Sequence, residues 1–164
     1  MAYLLDSNTL IEAKNAHYSF EVCPGFWDWL VLKIGEGSVL SIEAVSTELR
    51  RQTDELSEWA VRDASGMFLA PDAATAVAMR EVTAWVMAQD YKEEHRANFF
   101  AKADPLLIAC AKAHDHKVVT HEVPVPENSR KVKIPNVCQA MDVEWTNLYS
   151  MLRAERARFV LATD

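Results

Sequence analysis

Two short apolar runs in this chain end beside a carboxylate, and that placement constrains the fold more than any other feature. Ala2-Tyr3-Leu4-Leu5 runs straight into Asp6, and Lys117-Val118-Val119-Thr120 is followed by His121 and Glu122. Such runs are too short for a helix but suit strands buried on both faces of a parallel sheet. In open parallel sheets the ligand crevice lies beyond the carboxyl ends of the strands. Asp6 and Glu122 therefore occupy equivalent positions after two different strands.

The segments between these runs carry helical spacing. Asp6-Ser7-Asn8-Thr9 is a cluster of capping residues, and Thr9 with Glu12 fits a capping box. A loop over 16–25 ends at Pro24, which suits the first turn of a helix bearing Phe26, Trp27, Trp29, Leu30 and Val31. Ser38-Val39-Leu40-Ser41 reads as a second strand. A helix from Ile42 to about Gln52 continues as an amphipathic stretch through Leu56, Trp59 and Ala60, and Met67-Phe68-Leu69 is a further strand candidate. The alanine-rich segment from Asp72 to Gln89 predicts a long helix, and the polar segment from Asp90 to Asn98 a loop. Asp104-Pro105 opens a helix whose positions Leu106 to Ala113 are apolar nearly all round, as a buried helix requires. Pro124, Pro126 and Pro135 frame a loop, and Trp145, Leu148, Met151 and Leu152 fall in a last helix. Alternating strands and helices predict an α/β three-layer sandwich with a short, mainly parallel central sheet flanked by helices.

Length and composition narrow the classes. The 164 residues fit a single domain spanning 1–164, half of them hydrophobic and a quarter charged, which describes a chain that folds without staples. Cys23, Cys110 and Cys138 are widely separated and form no CxxC pair, against a zinc knuckle or disulfide framework. No segment approaches the roughly 18 apolar residues of a membrane span, and the N-terminus lacks a basic region before its apolar run. A cytoplasmic protein without membrane contact is expected. The net charge of −7 argues against general nucleic-acid coating, which depends on arginine and lysine. An acidic site loaded with divalent cations, however, presents a different sign from the bare chain.

Two more acids belong with Asp6 and Glu122. On a helical wheel of about 100° per residue, Glu48 lies about 60° from Val45, at the edge of the buried stripe, whereas Glu43 turns toward solvent. Asp104 stands where a helix begins, a position that capping alone would also explain. Asn8 and Thr120 flank the acids as candidate orienting groups, and Arg130, Lys131 and Lys133 form a candidate basic lip for a phosphate backbone. His121 is a surface histidine beside the acids. His114-Asp115-His116 fits a solvated turn closing a helix better than a metal site, and Trp27 and Trp29 fit core or dimer contact better than base stacking.

These residues resemble a known family. Tyr3-Leu4-Leu5-Asp6-Ser7-Asn8 is similar to the opening of PIN-domain nucleases, Val39-Leu40-Ser41 with Glu48-Leu49 to their second acidic segment, and Ala103-Asp104 through Val119-Thr120-His121-Glu122 to their last two. More narrowly, Pro24-Gly25-Phe26-Trp27-Asp28-Trp29 and Lys133-Ile134-Pro135-Asn136-Val137-Cys138 resemble the bacterial PIN-like family DUF4411. The resemblance runs over about residues 3–153. It implies a PIN fold and Mg²⁺- or Mn²⁺-dependent cleavage of RNA, often as the toxin of a toxin-antitoxin pair held inactive by a protein partner. Asp6, Glu48, Asp104 and Glu122 would be the catalytic and metal-binding acids. The last position is usually aspartate or asparagine in the family; glutamate here leaves direct metal contact or contact through water open.

The chemistry suits the residue types. Phosphodiester hydrolysis needs an activated water and neutralisation of transition-state charge, and carboxylate-held hard cations supply both. Two rivals remain: a catalytically silent PIN-like module that binds protein or RNA, and a phosphatase of the haloacid-dehalogenase type. The latter normally carries a second aspartate where this chain has Asn8.

Overall fold

The computed structural model describes residues 1–162. Its centre is β1 (Tyr3–Leu5), which pairs in parallel with β2 (Val39–Ile42) on one side and β4 (Lys117–Val119) on the other. The outer strands are β3 (Phe68–Leu69) beside β2 and β5 (Trp145–Thr146) beside β4, so the order is β3-β2-β1-β4-β5, all parallel. Leu4, Leu5, Val39, Val118 and Val119 are fully buried, which is why these strands read as continuous apolar runs.

Helices cover both faces, giving the three-layer α/β sandwich. They are α1 (Ser7–Asn15), α2 (Pro24–Gly35), α3 (Glu43–Leu49), α4 (Glu55–Arg62), α5 (Ala73–Ala88), α6 (Glu93–Phe100), α7 (Asp104–His114), α8 (Ile134–Ala140) and α9 (Leu148–Ala154). Residues Leu107 through Ala111 of α7 are all buried, between the sheet and α5. Trp27 belongs to the core: its indole donates to the Tyr18 carbonyl at 2.7 Å, and its ring stacks on Phe20 at 4.0 Å and meets Trp59 edge-on at 4.9 Å. Trp29 packs half-buried against the same cluster. Cys23, Cys110 and Cys138 are free thiols. No helix among the described residues is long and apolar enough to cross a membrane.

Five local expectations are corrected. The polar segment after Asp90 holds α6 from Glu93 onward, anchored by buried Phe99; one apolar anchor in a charged helix leaves no periodicity to read. The proline-framed loop gives way to α8 at Ile134, because Pro135 occupies the first turn, where its missing N–H costs nothing. Trp145 lies in β5 rather than in the last helix, which starts at Leu148 after Asn147, whose Oδ1 accepts from the Ser150 amide at 2.9 Å. The stretch from Ile42 to Ala60 is two helices, interrupted before Asp54, which forms a capping box with Ser57. At α1 the cap is Asp6 rather than a Thr9–Glu12 box: Asp6 Oδ1 accepts from the Thr9 amide at 2.7 Å.

Candidate functional site

Asp6 is placed by the sheet and by α1 together. Its amide still donates to the Val119 carbonyl at 3.1 Å, as part of the strand ladder, while its carboxylate caps the helix that follows. Only 2 % of the residue is exposed. One oxygen takes the Thr9 amide; the other, Oδ2, is buried with no hydrogen-bond partner among the described residues. Burial pushes its pKa up, the Thr9 and Thr120 side chains and the Thr9 amide pull back, and Glu122 adds to the rise. A buried carboxylate oxygen left without a donor is costly, so its retention calls for a ligand or a proton.

Asp104 sits in the first turn of α7 but does not cap it. Ala103 is the N-cap residue and makes no side-chain cap bond, so helix capping does not account for this aspartate. It is buried, and its pKa is raised to about 7. Burial is the largest cause, followed by the charges of Asp6 and Glu122; Lys102 opposes the rise and Glu48 adds to it. The other three acids therefore all act on this one carboxyl group. Near neutral pH it holds its proton about half the time.

Glu48 and Glu122 are held differently, by protein donors. Glu48 Oε2 accepts from the Ser7 hydroxyl and Oε1 from the Ala103 amide at 2.7 Å, so this side chain ties the start of α1 to the start of α7. Glu43 is exposed on the same helix. Glu122 Oε2 accepts from the Ile134 amide at 2.7 Å and Oε1 faces Lys133 Nζ at 3.5 Å, while its own amide donates to Thr120 Oγ1 at 3.1 Å. The extra methylene relative to aspartate is spent on reaching the first turn of α8. Ser7, Ala103 and Ile134 were missed in the sequence; two act through backbone amides, which side-chain identity cannot reveal. Ser7 did have a signal, a hydroxyl next to Asp6 at a helix start.

The remaining candidates divide. Thr120 is buried beside Asp6, whereas Asn8 is exposed and makes no side-chain hydrogen bond among the described residues. The basic lip does not form one patch: Arg130 reaches Asp90 at 3.3 Å, Lys133 turns to Glu122, and Lys131 is exposed without an ion pair among the described residues. Lys131 also lines a groove of about 640 Å³ with Trp85, Tyr91 and Asn136, which none of the four acids borders. His114 pairs with Asp72 at 3.0 Å, and His116 Nδ1 accepts from the Ala2 amide at 3.1 Å, so both serve structure.

Residues 3–159 match the family described as a domain of unknown function, DUF4411. The chain belongs to the DUF4411 family. No curated protein matches it. The match spans every strand and helix described above, so in this DUF4411 protein all four acids lie within the shared region.

A hard divalent cation can be tested against this donor set. Among the described residues no group of three aspartates, glutamates, histidines or cysteines stands ready to hold a metal ion. Mg²⁺ and Mn²⁺ keep several waters and take only one or two carboxylates from a protein, so three convergent ligands are not needed. Asp6 Oδ2, without a donor, and the Asp104 carboxyl, destabilised as an anion, are oxygen donors whose chemistry fits such an ion. Glu48 and Glu122 already accept from protein donors on both oxygens.

Proposed function

We propose that this protein is a Mg²⁺- or Mn²⁺-dependent ribonuclease of the PIN type, working as the toxin of a toxin-antitoxin pair whose protein partner restrains it. The reading rests on the resemblance of its acidic segments to PIN nucleases and, above all, on one observation. Asp104, raised to about 7, and Asp6, with a buried unpartnered oxygen, stand under mutual repulsion at the carboxyl edge of a parallel sheet.

In this reading Asp6 and Asp104 would hold the cation, Asp104 as its deprotonated carboxylate. The bound ion would supply charge neutralisation and an activated water. Glu48 fixes the starts of α1 and α7, and so the spacing of the two aspartates, through Ser7 and the Ala103 amide. Glu122 adds negative charge while anchoring α8. Thr120 favours the charged form of Asp6. Arg130 and Lys133 are held by Asp90 and Glu122, which leaves Lys131 as the lip residue free to meet an RNA backbone. The experiment is growth of a host expressing the wild type, Asp6→Asn or Asp104→Asn: arrest by the wild type alone supports the reading, and equal arrest by all three contradicts it.

A catalytically silent binding module is the second reading. It is favoured by the protein donors that already occupy Glu48 and Glu122. Divalent-ion binding together with RNA cleavage, both lost in Asp6→Asn, would exclude it.

A further inference from the structure

A row of aromatic and histidine rings leads away from Glu122. His121 follows β4 and immediately precedes Glu122; Tyr149 lies just past β5, in the first turn of α9; His17 and Tyr18 lie beyond the end of α1. The ring of His121 is 5.7 Å from that of Tyr149, Tyr149 is 5.9 Å from His17, and His17 is 6.5 Å from Tyr18, centroid to centroid. None of these contacts is a parallel stack: the planes meet at 49°, 65° and 72°.

The core explains only the far end of this row, Tyr18, which stacks on buried Phe26 at 4.4 Å. Leu148, Met151 and Leu152 are the residues by which α9 enters the core, whereas Tyr149 is half-buried and is not among the side chains packed on it. His17 is exposed and His121 half-exposed. Arg153 lies one turn after Tyr149 on the same face of α9. It is exposed, has no ion pair among the described residues, and lies close enough to Tyr18 to oppose the rise in its phenol pKa caused by burial and by Tyr149. Arg153 thus puts a positive charge on the helix that carries Tyr149, close to Tyr18.

We infer that His121, Tyr149, His17 and Arg153 form a binding track for single-stranded RNA that leads its bases to the carboxylate cleft. This rests on the ribonuclease reading above and adds the residues that would carry the substrate to the acids. Aromatic rings give sequence-tolerant stacking to unpaired bases, a guanidinium beside them takes the backbone, and a duplex, with its bases stacked inside, cannot use such rings. A protein segment is the competing occupant, and the test separates the two.

The test is fluorescence anisotropy of a labelled unstructured oligouridylate and of an RNA duplex of equal length, in Mn²⁺, with cleavage of both measured in parallel. The wild type should bind and cut the single strand in preference to the duplex. Tyr149→Ala should weaken single-strand binding roughly tenfold, by the usual cost of losing one stacked base, and raise KM more than it lowers kcat. Tyr149→Phe should restore binding, and Mn²⁺ affinity should be the same in all three proteins. Single-strand affinity unchanged in both Tyr149→Ala and a His17→Ala Arg153→Ala double variant, while the wild type still cleaves RNA, overturns the track and leaves the nuclease reading standing; the row is then a protein contact. A wild type that neither binds nor cuts either RNA overturns both.

Discussion

At the residue scale, the proton on Asp104 governs what the site does before a cation arrives. Its carboxyl group titrates at about 7 in the fold against 3.8 in its ordinary state, chiefly because it is buried and then because Asp6 and Glu122 repel it. Between those two values the folded protein holds a proton that the unfolded chain has released, so stability falls as pH rises through the window and is fully retained below it. The metal-free protein should be less stable at pH 8 than at pH 5, with Asp104 contributing on the order of 4 kcal/mol at most. Urea denaturation in chelator checks this: Asp104→Asn should remove most of the decline and be the more stable protein at pH 8. Ser7→Ala should have the opposite sign. It leaves Glu48 Oε2 without its donor and should cost about 1 kcal/mol.

At the element scale, strands and most helices were legible because their signals are local. β1 and β4 are short apolar runs beside an acid, α2 starts at Pro24, and α7 is apolar all round because α5 and the sheet enclose it. What escaped was set by tertiary partners. Trp145–Thr146 is a strand only because Val118 and Val119 offer it a ladder, and α6 is held by Phe99 amid charged residues. The same division runs through the site. The four acids could be picked from strand ends, a helical wheel and, for Asp104, a helix start together with the family resemblance, yet the amides of Ala103 and Ile134, which decide that Glu48 and Glu122 are anchored, carry no trace in the sequence. The break between α3 and α4 depends on Asp54, which caps α4 and bonds Lys14 at 2.6 Å. Asp54→Ala should lower stability by about 1 kcal/mol, the usual cost of a lost cap, measured by thermal or urea unfolding.

At the scale of the whole molecule, the fold gathers negative charge at one edge of an already acidic chain, and a divalent cation would relieve it. Magnesium or manganese should therefore raise the melting temperature of the wild type, by the equivalent of about 2.7 kcal/mol at a hundredfold excess over Kd, and leave Asp6→Asn Asp104→Asn nearly unmoved. The two aspartates come to the site from widely separated parts of the chain, Asp6 at the end of the central strand and Asp104 at the start of the helix packed on the sheet, so the site exists only when the sandwich is complete. The central claim is that Asp6 and Asp104 together bind a metal that cleaves RNA, and the most direct measurement is the rate at which purified protein cuts a single-stranded RNA in Mn²⁺. Cleavage by the wild type, abolished by chelator and reduced at least a hundredfold in Asp104→Asn with the fold intact, is the result expected. Cleavage that survives in Asp104→Asn, or a folded, Mn²⁺-loaded wild type that cuts no RNA, would contradict the account.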